Sequence, residues 1–192
     1  MKRVLLLGDS IRMGYDEMVR DMLKDECEVC FSEDNGRFSA YTLEQAIQMF
    51  INNGSFDVVH WNNGYWDMDI ESPLNEPLVP VDEYMRFLRR IARTLKAYGA
   101  QVIFATTTPI FNEGAAADTQ TGAHLRFKNE WVLRYNAAAK IIMEEEGVPI
   151  NDLYTLCLQG EKYYKCEDRL HLTKEGYQVC AQQVCEHIRQ YL

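Results

Sequence analysis

Two short stretches near opposite ends of the chain carry the side chains best suited to nucleophilic catalysis. Gly8-Asp9-Ser10 follows an apolar run, and the glycine allows a tight turn that exposes a serine hydroxyl at the start of a helix. Asp168 precedes His171 by three residues, so its carboxylate can reach back to Nδ1 and leave Nε2 facing outward as a base for a serine. Each stretch alone has a simpler interpretation: a helix cap at Asp9 or Ser10, and a surface histidine at position 171.

The elements that must position these residues alternate short apolar runs with longer amphipathic stretches, which is typical of βαβ units and a parallel sheet. The predicted strands are 3–8, 27–31, 57–62, 101–106 and 147–151, and the predicted helices are 14–25, 41–53, 81–98, 126–146 and 173–191. Two long connections, 63–80 and 107–125, follow strand ends at the edge where open α/β sheets bind ligands. The sequence therefore places its candidate functional residues along one edge of the sheet.

Length, composition and charge narrow the class of protein further. The chain has 192 residues, 47% of them apolar, which predicts one domain over 1–192 with a sizeable core. A formal net charge of −9 argues against nucleic acid or anionic membrane as the main partner. The first apolar run is too short for a signal peptide and no stretch is long enough to span a bilayer, so we expect a cytoplasmic protein without membrane insertion. Neither glycine-rich phosphate motif follows the first strand, which disfavours nucleotide binding.

The two catalytic blocks, with two shorter ones between them, make the sequence resemble the SGNH/GDSL-type serine hydrolases, a family of esterases and lipases. The likeness covers LLGDSI at 6–11, ATTTP at 105–109, RYN at 134–136 and DRLHLTKEGY at 168–177. It implies an α/β fold: a three-layer α/β/α sandwich, flavodoxin-like, with about five parallel strands. It also implies that Ser10 is the nucleophile, His171 the general base and Asp168 its orienting acid, with no metal or organic cofactor needed.

The third block departs from the family pattern. After the third strand the family usually has Gly-x-Asn, whose side chain donates to the oxyanion, whereas this chain has Asn62-Asn63-Gly64. Either Asn62 or Asn63 supplies the donor from a shifted backbone, with Asn63 preferred, or the oxyanion hole relies on other groups. The resemblance offers the backbone N–H groups of Ser10 and Gly36 as further donors. Loss of one such donor typically costs about 10²–10³ in rate.

The resemblance implies hydrolysis of a small-molecule ester through an acyl-enzyme. Short acyl groups are the preferred substrates, and O-acetyl groups on carbohydrates are preferred among them. A lysophospholipase or thioesterase, and a non-catalytic flavodoxin-like binding module, remain as alternatives, and the oligomeric state is not predicted.

Several other polar and aromatic residues outside the motifs also have predicted roles. His60, on the third strand, is expected to be a core histidine rather than a second base. Arg12 and Arg37 either hold an anionic group of the substrate or form surface salt bridges, and the salt bridges are preferred. Tyr65 and Trp66 either stack on a sugar or pack beneath the 63–80 connection.

Overall fold

The protein is built around a parallel sheet. The computed structural model describes residues 1–71, 73–111, 128–164 and 170–192. Its strands are β1 (Lys2–Leu7), β2 (Cys27–Phe31), β3 (Val58–Asn62), β4 (Ile70–Glu71), β5 (Glu76–Pro77), β6 (Gln101–Ala105) and β7 (Ile150–Asn151). Five of them form the main sheet in the order β2-β1-β3-β6-β7, and all its neighbours pair in parallel. Counted among themselves these strands have the flavodoxin-like order 2-1-3-4-5, so the predicted fold is confirmed.

Helices cover both faces of the sheet. They are α1 (Ser10–Leu23), α2 (Ser39–Asn53), α3 (Tyr65–Met68), α4 (Val81–Ala97), α5 (Asn129–Glu145), α6 (Leu153–Leu158) and α7 (Lys174–Arg189). The connection from β1 to β2 runs in the opposite direction along the sheet from all the later ones. Because parallel crossovers are right-handed, α1 must lie on the face opposite to α2, α4 and α5. The packing agrees, since α1 contacts α7 whereas α4 contacts α2 and α5.

The apolar pattern of the sequence explains this layering. The four apolar residues of β1, Val4–Leu7, are fully buried because helices cover both sides of that strand. On α4 the buried side chains Tyr84, Leu88, Ile91 and Leu95 recur at helical spacing and form one face. Because β1, β2 and β3 are parallel, their carboxyl ends meet at one edge of the sheet.

The structure differs from the predicted elements where short-range contacts decide. The 63–80 connection is not irregular throughout, since α3 and the antiparallel pair β4–β5 lie within it. Helix α1 begins at Ser10 rather than at position 14, because the Asp9 side chain caps it. Helix α6 was not predicted, because six residues are too few to show a helical period. Residues 112–125 of the second connection lie outside the described residues.

No helix in the described ranges is long and apolar enough to cross a bilayer.

Candidate active site

The turn between β1 and α1 holds the candidate nucleophile. Gly8 adopts a φ of 145°, and a Cβ built on it would lie 1.8 Å from Asn62 Oδ1, so this position requires glycine. Asp9 is the N-cap of α1, and its Oδ1 accepts a hydrogen bond of 3.0 Å from the Ile11 N–H. Asp9 therefore takes the capping role, which leaves the hydroxyl of Ser10 for other partners.

Ser10 and His171 form a hydrogen-bonded pair across 161 positions of sequence. Ser10 Oγ lies 2.8 Å from His171 Nε2, and both residues are partly exposed. This distance is within the range expected for a nucleophile and its general base. The start of α7 anchors the histidine, because Thr173 caps that helix and its N–H donates to the Tyr163 carbonyl at 2.6 Å. Asp168, the predicted orienting acid, lies outside the described residues.

Asn62 contacts the nucleophile turn. Its Nδ2 donates to Asp9 Oδ1 at 2.9 Å, and its side chain is almost completely buried. Burial raises the pKa of Asp9, although the hydrogen bonds from Asn62 and from the Ile11 N–H oppose the shift. One of the two Nδ2 hydrogens of Asn62 thus holds Asp9, and the other has no hydrogen-bond partner among the described residues.

Asn63 makes a different set of contacts. Its Nδ2 donates to the Arg37 carbonyl at 3.1 Å and to Thr42 Oγ1 at 2.8 Å, and its Oδ1 accepts from Trp61 Nε1 at 2.6 Å. Both amide hydrogens are used within the protein, so none is left for an oxyanion. The geometry therefore gives no support to the preference for Asn63 and favours Asn62 instead.

Gly36 lies directly against the nucleophile turn. Its N–H donates to the Gly8 carbonyl at 2.8 Å, and its own carbonyl accepts from Thr42 Oγ1. This N–H would have to leave Gly8 before it could bind an oxyanion. Two other backbone N–H groups, those of Ser10 at the start of α1 and Ala40 at the start of α2, form no hydrogen bond with the described residues. Such first-turn N–H groups have no carbonyl partner within their own helix.

Asp67 and Arg12 are buried charged residues near this edge, and the sequence did not predict the burial of either. Asp67 is completely buried on α3, and burial raises its pKa to about 7 although hydrogen bonds from Ser39 oppose the shift. Arg12 is fully buried and donates to Asp16 Oδ2 at 2.6 Å, so the prediction of a surface salt bridge was wrong for it. The spacing of Arg12 and Asp16, four residues along α1, was the available signal for the pair, but not for its depth.

Arg12 also reaches the loop that follows β2. Its Nη1 donates to the Ser32 carbonyl and its Nη2 to the Asp34 carbonyl, each at 2.9 Å. The exposed pair of Arg37 with Asp34, 3.5 Å apart, confirms the surface salt bridge predicted for Arg37.

The remaining predictions concern His60 and the aromatic pair. His60 is completely buried and its Nε2 lies 3.0 Å from Asn151 Nδ2, which confirms a core histidine. Tyr65 is buried and its hydroxyl donates to the Thr108 carbonyl at 2.6 Å, so it packs inside the protein. Trp66 is partly exposed.

A flavodoxin-like sandwich with a hydrogen-bonded serine and histidine at the carboxyl edge of its sheet is the arrangement expected of a serine hydrolase. The model of the GDSL-like lipase/acylhydrolase family matches residues 6–179. The chain belongs to this family of ester hydrolases, as its sequence motifs predicted.

Solved structures support the fold. A GDSL-like lipase from Bacteroides thetaiotaomicron is 22% identical with a TM-score of 0.76, over 100% of this chain and 89% of that one. The acetyl xylan esterase AlAXEase is 19% identical with a TM-score of 0.73, over 97% of this chain and 99% of that one. A lipase/acylhydrolase from Enterococcus faecalis is 16% identical with a TM-score of 0.77, over 99% of this chain and 96% of that one. No relative was found among curated proteins.

Proposed function

We propose that this protein hydrolyses short-chain acyl esters through an acyl-enzyme on Ser10, and that its substrate is an O-acetylated carbohydrate. The observation that carries the proposal is the 2.8 Å contact between Ser10 Oγ and His171 Nε2. A serine hydroxyl becomes a competent nucleophile when a base of this kind removes its proton during attack. The alternatives from sequence, a lipid hydrolase and a binding module, are distinguished by the experiments below.

The reaction divides into acylation and deacylation. Ser10 Oγ attacks the acyl carbonyl carbon while its proton passes to His171 Nε2, giving a tetrahedral oxyanion. The imidazolium then protonates the leaving alcohol as the bond between acyl carbon and alcohol oxygen breaks. Water attacks the acyl-serine, with its proton passing to His171, and the carboxylic acid leaves as Ser10 recovers its proton. Asp168 holds the His171 tautomer in this proposal.

The oxyanion is stabilised by N–H donors at the same edge of the sheet. The Ser10 N–H and the remaining amide hydrogen of Asn62 are the donors that the contacts favour, since both lie in or against the nucleophile turn. The Gly36 N–H, the other donor that the family likeness offered, donates to the Gly8 carbonyl and so serves the nucleophile turn rather than the oxyanion in this proposal. Each donor is worth about 10²–10³ in rate, so two of them support substantial catalysis.

The preference for an acetylated carbohydrate rests on similarity. AlAXEase, described as an acetyl xylan esterase, matches the fold over nearly the whole of both chains. Lipases match it as well. The acyl chain length is therefore the property that an experiment must measure.

Labelling with a fluorophosphonate, followed by peptide mapping, tests the nucleophile. We expect stoichiometric adduct on Ser10 in the wild type and none in Ser10→Ala. In His171→Ala the rate of labelling should fall roughly 10⁴-fold or more. His187→Ala is the matched control, because His187 is also partly buried but its Nδ1 lies 2.9 Å from the Gln183 carbonyl. Folded wild type without adduct would favour the binding module.

Substrate preference is measured on p-nitrophenyl esters of increasing chain length and then as acetate released from acetylated xylan. We expect kcat/KM to be highest for acetate and to fall by octanoate. A maximum at long chains would reject the carbohydrate assignment and favour a lipid hydrolase, while leaving the nucleophile intact.

A further inference from the structure

Asp67 is a buried carboxyl group that the catalytic steps do not use. Its Oδ1 accepts two hydrogen bonds from Ser39, one of 2.9 Å from the backbone N–H and one of 2.5 Å from the hydroxyl. Its Oδ2 is buried and has no hydrogen-bond partner among the described residues. A carboxyl group is costly to bury, so these contacts need a reason.

The two hydrogen bonds make Asp67 the cap of a helix to which it does not belong. Ser39 is the first residue of α2, and the N-cap residue Phe38 has no side-chain acceptor to offer. Asp67 supplies that acceptor from α3, 28 positions further along the chain. An acceptor at this position satisfies an N–H that the helix leaves unpaired, and a carboxylate also complements the helix dipole.

Asp67 binds one end of the segment 36–39, and the other end of this segment contacts the nucleophile turn. At one end the Gly36 N–H donates to the Gly8 carbonyl, two residues before Ser10. In the middle, Arg37 has a φ of 50°, a left-handed conformation that is unfavourable for arginine. A conformation of this kind persists only where its surroundings hold it in place. The Asn63 amide holds the Arg37 carbonyl, and Asp67 holds Ser39 at the other end.

We propose that Asp67 is a positioning residue for the hydrolysis: through Ser39 it fixes the 36–39 segment, and through that segment the turn that carries the nucleophile. This inference rests on the proposed function. It assigns Asp67 no contact with the substrate. A misplaced nucleophile turn lowers the rate of attack but leaves the binding of a small ester almost unchanged.

The test compares two substitutions of one carboxyl group. Asp67→Ala removes the acceptor, and we expect it to lower kcat for p-nitrophenyl acetate about 10- to 100-fold with KM changed less than about threefold. Fluorophosphonate labelling of Ser10 should slow by a similar factor. Asp67→Asn keeps an Oδ1 that accepts from Ser39, so it should recover kcat to within about threefold of wild type. Ser39→Ala, which loses the hydroxyl but keeps the N–H, should fall between them and add little to Asp67→Ala.

A matched control separates positioning from general loss of stability. Ile142 is fully buried on α5, away from the 36–39 segment, so Ile142→Ala should lower the melting temperature without lowering kcat. The inference is overturned if Asp67→Ala keeps wild-type kcat and labelling, if Asp67→Asn is no better than Asp67→Ala, or if Ile142→Ala loses kcat equally. Should Asp67→Ala not fold, Asp67→Asn and Ser39→Ala decide, with wild-type kcat in Ser39→Ala counting against it. Wild type that is not labelled overturns the proposed function, and this inference with it.

Discussion

The close approach of Gly36 to the nucleophile turn gives the sharpest test of the site geometry, through Gly36→Ala. A Cβ on Gly36 would lie 2.5 Å from the Gly8 carbonyl oxygen and 2.9 Å from its carbon. A carbon–oxygen contact needs about 3.3 Å, so one of the two backbones must move by roughly 0.8 Å. Such a shift lengthens the 2.8 Å hydrogen bond from the Gly36 N–H beyond the usual limit unless the whole turn moves.

The expected cost follows from these distances. Overpacking costs about 1–3 kcal/mol, and a lost hydrogen bond adds about 1 kcal/mol. We therefore expect Gly36→Ala to lower the free energy of unfolding by roughly 2–4 kcal/mol. A displacement near 1 Å at Ser10 should also lower kcat by about 10²-fold. Urea unfolding followed by circular dichroism measures the first effect, and hydrolysis of p-nitrophenyl acetate the second.

Gly99→Ala is the control for backbone strain alone. Gly99 has a φ of 88°, but a Cβ there would meet nothing within 4 Å, and it lies at the opposite edge of the sheet between α4 and β6. Gly99→Ala should lower the free energy of unfolding by about 1–2 kcal/mol and leave kcat unchanged. If Gly36→Ala were as stable and active as wild type, the close contact with Gly8 and the role given to this turn would both be refuted.

Three further predictions use buried groups. Arg12→Met should lower the free energy of unfolding in urea by about 3–5 kcal/mol, because it leaves the buried Asp16 carboxyl without its cation. Adding Asp16→Asn should recover part of that free energy. Burial lowers the pKa of His60 to about 3, whereas the pKa in the unfolded chain is about 6.5. Between these two pH values only the unfolded chain takes up the proton. The free energy of unfolding therefore falls as the pH is lowered, by about 2 kcal/mol at pH 5. His60→Gln should show a smaller loss over that range, and an equal loss would contradict the assignment. The buried thiols Cys157 and Cys180, 3.4 Å apart, should resist iodoacetamide until the protein unfolds, and rapid native labelling would contradict their burial.

Much of the fold could be predicted because its signals are local and periodic. The apolar run of β1 and the helical spacing on α4 gave the strands, helices and parallel order, since covered strands are continuously apolar and surface helices are amphipathic. The pairing of Ser10 with His171 was predictable as well, through two motifs that the family likeness connects. Element boundaries were less predictable, because capping by one side chain such as Asp9 moves the start of a helix by a full turn.

What the sequence by itself determined was the class of fold and which serine and histidine could react. The tertiary structure alone decided how the polar side chains around them are used. Asn62 and Asn63 are adjacent and chemically identical, yet Asn62 donates to Asp9, whereas Asn63 donates to the Arg37 carbonyl and to Thr42 of α2. Successive residues at a strand end point in opposite directions, so their partners come from different elements far apart in sequence. Asp67 likewise cannot be told from a surface acid in the sequence. Only the packing of α3 against the start of α2 brings it into contact with Ser39.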